Sequence, residues 1–171
     1  MSYFNNFPTI MYDPTGDGSA KLATNIMKRV RMRANMKKEV IMLDPYDVKE
    51  NETPEIVSDK HHGSPYYHWI VMLLNDISDV NHDWVKSTRQ MQKYLLSKYT
   101  ETQLTEAHHY EISQTSGDTT IKIEVENSTY PSATTVTNYE YEVALNESKR
   151  SIDLLRNDYL GYFTEEFASL I

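Results

Sequence analysis

The chain has 171 residues, a net charge of -8 and no cysteine. That fits one domain or a small core with an elaboration, and it excludes a disulfide scaffold, a thiolate zinc site and a cysteine nucleophile. Hydrophobic residues make up 39%, and thirteen tyrosines stand against four phenylalanines. The core is therefore expected to be thin, with tyrosines either lining strands or completing their burial against partners.

The start, MSYFNNFPTIMYDP, carries neither a basic nor an apolar leader pattern. The longest apolar run, Trp69 to Leu74, is too short to span a bilayer. Pro8, Pro14, Gly16 and Gly18 make the first eighteen residues extended and turn-rich, and DPTGDGS reads as a tight loop. Ser19 then caps a predicted helix over residues 20–36. Leu22, Ile26 and Val30, with Ala23, Met27 and Ala34, form its apolar stripe. Lys21, Lys28, Arg29, Arg31, Arg33, Lys37 and Lys38 surround that stripe with no acid among them, whereas residues 101–147 hold nine acids and one base. Such a split allows pairing within the chain or head-to-tail with neighbours.

EVIML, ending at Asp44-Pro45, reads as a short buried strand that continues through Tyr46 and Val48. Thr53 is an N-cap, Pro54 the first helical position and Glu55 a first-turn acid, so a helix runs to about His61 and ends at Gly63. Ser64 caps a second helix that Pro65 opens, carrying Tyr66 to Leu74 and closing at Asn75-Asp76. Ser87 and Gln90 form a capping box for a further helix with Met91, Tyr94 and Leu95 inward. From 105 to 145 the period changes to two. Tyr110 and Ile112 lie in one predicted strand, Ile121, Ile123 and Val125 in a second, and Tyr139, Tyr141 and Val143 in a third. Ser116-Gly117-Asp118 marks a hairpin between the first two. The tail returns to helical spacing, with stripes Ile152, Leu155, Tyr159 and Phe163, Phe167, Leu170, and Gly161 breaks or bends it.

The stretch DKHHGSPYYHWIVMLLND crowds His61, His62 and His68 beside Asp59. Adjacent histidines on a helix point about 100° apart, and His108-His109 on a strand face opposite sides, so neither pair has zinc-ligand spacing. A metal-assisted hydrolase using these histidines with Asp59 is the enzymatic alternative. There is no nucleophile elbow, phosphate loop or carboxylate pair in an apolar setting. The expectation is therefore no enzyme, no catalytic residue, no metal and no cofactor. The histidines are expected to sit on the edges of a helix–turn–helix packed through Trp69, Ile70, Leu73 and Leu74. The basic segment lacks interleaved aromatics in an acidic chain, which argues against nucleic acid.

Tyr46-x-Val48, ENETPEIVSDKHHGS and YYHWIVMLLNDI resemble a LysM module. That family has a small βααβ fold and binds N-acetylglucosamine polymers. The usual Gly-Asp-Thr turn is Asn51-Glu52-Thr53 here, and NHDWVKSTRQM stands where the approach to a final strand is expected. A wider resemblance runs through YFNNFPTIMYD, TPEIVSDKHHGSPYYHWIVMLLND, HHYE and YEYEVALNESKRSIDLLRNDYLGYFTEEFASLI. Together these resemble the baseplate wedge protein 53 family of T-even-like contractile-tailed bacteriophages, small subunits with a LysM-like core.

The resemblance implies an α+β fold: a LysM-like βαα(β) core, an N-terminal extended arm and helix, and a C-terminal β-hairpin and strand module ending in helices. The expected segments are 1–38 (arm and basic helix), 39–82 (core), 83–104 (connecting helix) and 105–171 (β-rich module). The implied role is structural, bridging or clamping neighbouring wedges in the virion tail baseplate after assembly in the host cytoplasm. The implied partners are other wedge proteins and the sheath-initiating subunit, in multiple copies of a symmetric particle, with no nucleic acid and no membrane. Tyr3, Phe4, Phe7, Arg29, Arg31, Arg33, Tyr159, Tyr162 and Phe163 are the candidate partner-interface residues. Glu50, Asn51, Glu52, Thr53, Asn75 and Asp76 are the candidate groove residues under the alternative reading, a LysM-type cell-wall glycan binder.

Overall fold

The computed structural model describes residues 3–28, 30, 40–114 and 121–171. The fold is mixed α+β, with small antiparallel sheets. The chain divides into two compact units: Met1–Trp84 with Ser151–Ile171, and Val85–Arg150. The second unit is thus inserted in the chain between two parts of the first.

The first unit opens with a 3-10 turn, Tyr3–Asn6, and a hairpin of β1 (Thr9–Tyr12) and β2 (Lys21–Thr24), in register Ile10↔Ala23 and Met11↔Leu22. The hairpin replaces the first part of the helix expected over 20–36; residues 29 and 31–36 of that expectation lie outside the described residues. The cause is the loop. Asp13 accepts from the backbone N–H groups of Thr15, Gly16 and Gly18 at 3.1, 2.7 and 2.8 Å. Gly16 and Gly18 take φ of 71° and 84°, which side chains disfavour. The tied loop turns the chain back on itself, and TIMY then pairs with KLAT.

Residues Val40–Met42 form a 3-10 turn, and β3 follows at Leu43–Asp47. The strand expected from EVIML therefore begins later. Helix α1 spans Pro54–His62, with Thr53 as its N-cap and Gly63 at φ 70° as its left-handed stop. Ser64 caps a 3-10 turn, Pro65–Tyr67, that runs into α2 (His68–Leu74). A short α3 (Val80–Asp83) ends this run. The partner of β3 comes from far along the chain: β7 (Ser151–Leu155) pairs with it antiparallel, Leu43↔Leu155 to Asp47↔Ser151. Residues Ile152 and Leu155, expected in a helix, are thus in a strand. Alternate positions Ile152 and Leu154 are buried while Ser151 and Asp153 are exposed, the period of a half-buried strand. Helix α7 (Asn157–Leu170) then passes through Gly161 without a break. Glycine costs about 1 kcal/mol against alanine inside a helix but does not end one.

The core of this unit is Phe7, Trp69, Ile70, Leu74, Leu155, Phe163 and Phe167. Trp69 lies 4.5 Å from Phe167 and 5.3 Å from Tyr3, ring centre to ring centre.

The second unit begins with α4 (Thr88–Lys98) and α5 (Glu101–Leu104), each opened by a capping box, Ser87 with Gln90 and Thr100 with Gln103. Strands β4 (Ala107–Ser113), β5 (Lys122–Val125) and β6 (Thr134–Thr137) make a sheet in the order β5-β4-β6. The expected turn at Ser116-Gly117-Asp118 lies outside the described residues. The third strand expected around Tyr139, Tyr141 and Val143 is instead α6 (Asn138–Ser148). Thr137 and Glu140 form a capping box that starts a helix one residue before Tyr139, and this local signal overrides the alternation. A bulge between Ala107 and His109 also brings together two rings expected on opposite faces. His108 Nδ1 and His109 Nδ1 are 2.9 Å apart, and the Tyr141 ring stacks 3.8 Å from His108.

Candidate functional site

The crowded histidines of residues 59–76 are fastenings. His61 Nε2 donates to the Leu155 carbonyl at 3.1 Å. His62 Nδ1 lies 2.9 Å from Asn157 Oδ1, and Asn157 Nδ2 donates back to the His61 carbonyl at 2.8 Å. His68 Nδ1 bonds the Pro65 carbonyl at 2.9 Å. The first two tie the end of α1 to β7 and the start of α7; the third closes the turn before α2. Burial lowers the pKa of His62, with the neighbouring His61 adding to this and the Asn157 contact opposing it. Among the described residues, no three of histidine, aspartate or glutamate are grouped to hold a metal ion.

Two of the candidate groove residues are built into the fold. Glu52 is 7% exposed. Its carboxylate accepts from the Tyr46 hydroxyl and the Lys49 N–H, both at 2.8 Å, and pairs with Lys60, while its carbonyl accepts from Trp84 Nε1 at 2.7 Å. Burial pushes the Glu52 pKa up, but these partners outweigh it and hold the group below the usual range. Burial, helped by the same contact, pushes the Tyr46 pKa up to about 12. The Asn75 amide donates to the carbonyls of Val71 and Asp153, both at 2.8 Å, and its oxygen accepts from the Asp153 N–H at 2.9 Å. It acts as one more rung on the edge of β7. Thr53 caps α1, Asn51 takes φ 64° and Asp76 φ 55°, and Glu50 is exposed beside them.

The candidate interface residues separate by burial. Phe7 and Phe163 are in the core, and Tyr3 and Tyr159 pack against it. Phe4 and Tyr162 remain 51% and 75% exposed. Arg29, Arg31 and Arg33 lie outside the described residues. The arm thus folds onto its own unit.

What the sequence reading missed is the hairpin surface. Ile10, Met11, Tyr12 and Leu22 on the strands, and Ile26 and Met27 after them, are all exposed, Met27 by 83%. Directly opposed pairs share a face, so Met11 and Leu22 lie on one side and Ile10 and Tyr12 on the other. Both faces therefore carry apolar side chains, and each strand has one edge unpaired within its sheet. A two-stranded hairpin is at best marginal in water by itself, and an unpaired edge beside exposed apolar groups is a template for another chain. The usable signal was TIMY and KLAT flanking a loop rich in Asp and Gly; the helical spacing of Leu22 and Ile26 hid it.

Among the described residues no helix is long and apolar enough to cross a membrane. No curated protein sequence matches the chain. The family described as Base plate wedge protein 53 matches residues 4–130, a span that includes the hairpin, β3, α1 and α2 but stops before β7. With most of its length matched in this way, the chain belongs to the Base plate wedge protein 53 family of phage baseplate structural proteins.

Proposed function

We propose that the chain bridges or clamps neighbouring wedges of a contractile phage tail, and that its exposed β1–β2 hairpin is one of the surfaces by which it does so. The hairpin carries this reading: it presents apolar side chains on both faces and, among the described residues, two edges with no strand partner. Such a surface suits β-strand addition by a neighbouring subunit, in which backbone bonds supply affinity and alternate side chains supply selectivity. Other wedge proteins and the sheath-initiating subunit are the partners, and assembly takes place in the host cytoplasm. The first unit is read as a LysM-like module. Its order β3, α1, α2, β7, with the two strands antiparallel, supports this, the last strand arriving after the inserted unit. Capture with a tagged chain from phage-infected cells, followed by mass spectrometry, tests the role. Wedge or sheath-initiating proteins are expected on the tagged chain, and their absence would count against it.

The same βααβ order favours a second reading, binding of cell-wall glycan. Glu52 and Asn75, which would wall the groove, are already bonded within the fold. Pelleting with purified peptidoglycan decides it: a chain that stays in the supernatant does not bind glycan.

A further inference from the structure

The bulge in β4 sets two histidine nitrogens side by side. Ala107 pairs with Thr137 and His109 with Val136, so His108 is the additional residue between them. A bulge re-aims a side chain, and bulges are over-represented beside functional sites. Here His108 Nδ1 and His109 Nδ1 lie 2.9 Å apart. Each ring is also held by a second partner. His108 stacks on Tyr141 of α6, with ring centres 3.8 Å apart and planes 8° from parallel. His109 Nε2 lies 3.0 Å from Glu111 Oε1. Glu111 in turn pairs with Lys122 at 2.9 Å. The Lys122 contact, and then the His109 contact, hold the Glu111 carboxyl below its usual range. An ionised carboxylate only accepts, so His109 Nε2 carries the proton and the Nδ1 of the neutral ring offers its lone pair towards His108.

We propose that His108 and His109 chelate a tetragonal divalent ion, copper(II) or nickel(II), through their Nδ1 atoms, with water in the remaining positions. The spacing selects the ion. Metal–nitrogen bonds of about 2.0–2.1 Å at a right angle put two nitrogens about 2.9 Å apart, whereas tetrahedral zinc spreads them to about 3.3 Å. Imidazole suits both copper and nickel. The Glu111 contact fits a ligating histidine, which commonly donates its other ring N–H to a carboxylate; that partner fixes the tautomer and raises the basicity of the ligand. Access is open, since His108 is exposed and His109 only partly buried. On binding, neutral His108 gives up its Nδ1 proton and takes one from water at Nε2, so the ring stays neutral and no net proton is released. Two protein ligands make a micromolar site rather than a tighter one. The site is separate from the hairpin and does not depend on the bridging reading.

The test is calorimetric titration of the full-length, untagged chain, first dialysed against a chelator, with nickel(II) chloride and with copper(II) chloride. One ion per chain with a micromolar Kd is expected. His108→Ala changes an exposed side chain and is expected to weaken binding about tenfold or more, with the melting temperature of the metal-free chain near that of the parent. Glu111→Gln keeps both rings but removes the charge behind His109, and about a tenfold loss is expected. His82→Ala is the control, since His82 also lies against a carboxylate, that of Asp79 at 2.7 Å; binding is expected to be unchanged. Binding that survives His108→Ala, or that His82→Ala abolishes, would overturn the proposal. So would a parent chain that takes up neither ion below millimolar metal.

Discussion

The two units of the chain are held together by different chemistry. The first buries Trp69, Ile70, Leu74, Leu154, Leu155, Phe163 and Phe167 among other apolar side chains, with Glu52 and Ser58 as the polar exceptions. In the second, Val85, Met91 and Leu95 are the buried apolar residues among those described, beside buried Ser87, Glu142 and Asn146. Glu142 is 3% exposed. Its carboxylate pairs with Lys98 and accepts from the Tyr99 hydroxyl at 3.0 Å. Burial pushes the Glu142 pKa up, and these partners pull it below the usual carboxylate range, while the Lys98 ammonium is driven the other way. Asn146 bonds both backbone groups of Lys86, at 2.8 and 3.0 Å. Apolar burial tolerates a range of shapes, whereas a buried polar network fails as soon as one member is missing. With the larger buried apolar set, the first unit should be the more stable, and the second, with less stability to lose, should open first.

The largest effect that sharpens this contrast is in the first unit. Leu154→Ala removes a fully buried side chain from β7 and is expected to cost about 2–5 kcal/mol. Urea titration gives the magnitude, and amide hydrogen exchange should place the loss in β3, β7 and α2. Next comes Glu142→Gln, which keeps the shape but loses the charge facing Lys98. A cost of about 1–3 kcal/mol is expected, and exchange should quicken in α4 and α6 while α2 stays protected. Loss of protection throughout both units would show that they unfold together and would break the comparison. Thr137→Ala removes the cap of α6 and should cost about 1 kcal/mol, read as a lower melting temperature.

The last contrast is in pH. A carboxyl held low in the native state stabilises it above the ordinary carboxyl pKa of about 4.3, and that contribution is lost as pH falls through the lower native value. Glu52 and Glu142 therefore weaken their units only in strong acid. His62 acts earlier. Its native pKa is depressed, so the unfolded chain takes up the proton first, and stability declines as pH falls below about 6.5. His62→Gln should flatten the slope of stability between neutral pH and about pH 5 relative to the parent chain.

The parts of the fold written in short-range chemistry were legible. Thr53-Pro54, Gly63-Ser64-Pro65 and Ser87 with Gln90 mark helix ends where the structure has them. Both tryptophans are core. The family was legible too, since the order of several weak motifs is itself a signal. What failed was one strand that depends on distant pairing and two elements whose local signals were masked by a competing spacing. SIDLL becomes a strand because β3, more than a hundred residues earlier, offers an edge. KLAT becomes a strand because Asp13 ties a loop that no helical spacing reveals. Tyr139 to Val143 looks alternating in isolation, and the box at Thr137 and Glu140 decides otherwise. Of the candidate interface residues, Phe7 and Phe163 are core, whereas Met11, Leu22 and Met27, outside that set, are exposed.

The most direct test of the central claim is sedimentation velocity of the purified chain mixed with purified wedge proteins of the same phage, comparing the parent with Leu22→Asp. Leu22 is 68% exposed, so the substitution should leave the fold intact and strike the hairpin surface alone. A larger wedge complex is expected with the parent, and its loss with Leu22→Asp. A complex that forms equally well with both would contradict the hairpin as an assembly surface, and no complex with either would contradict the bridging role.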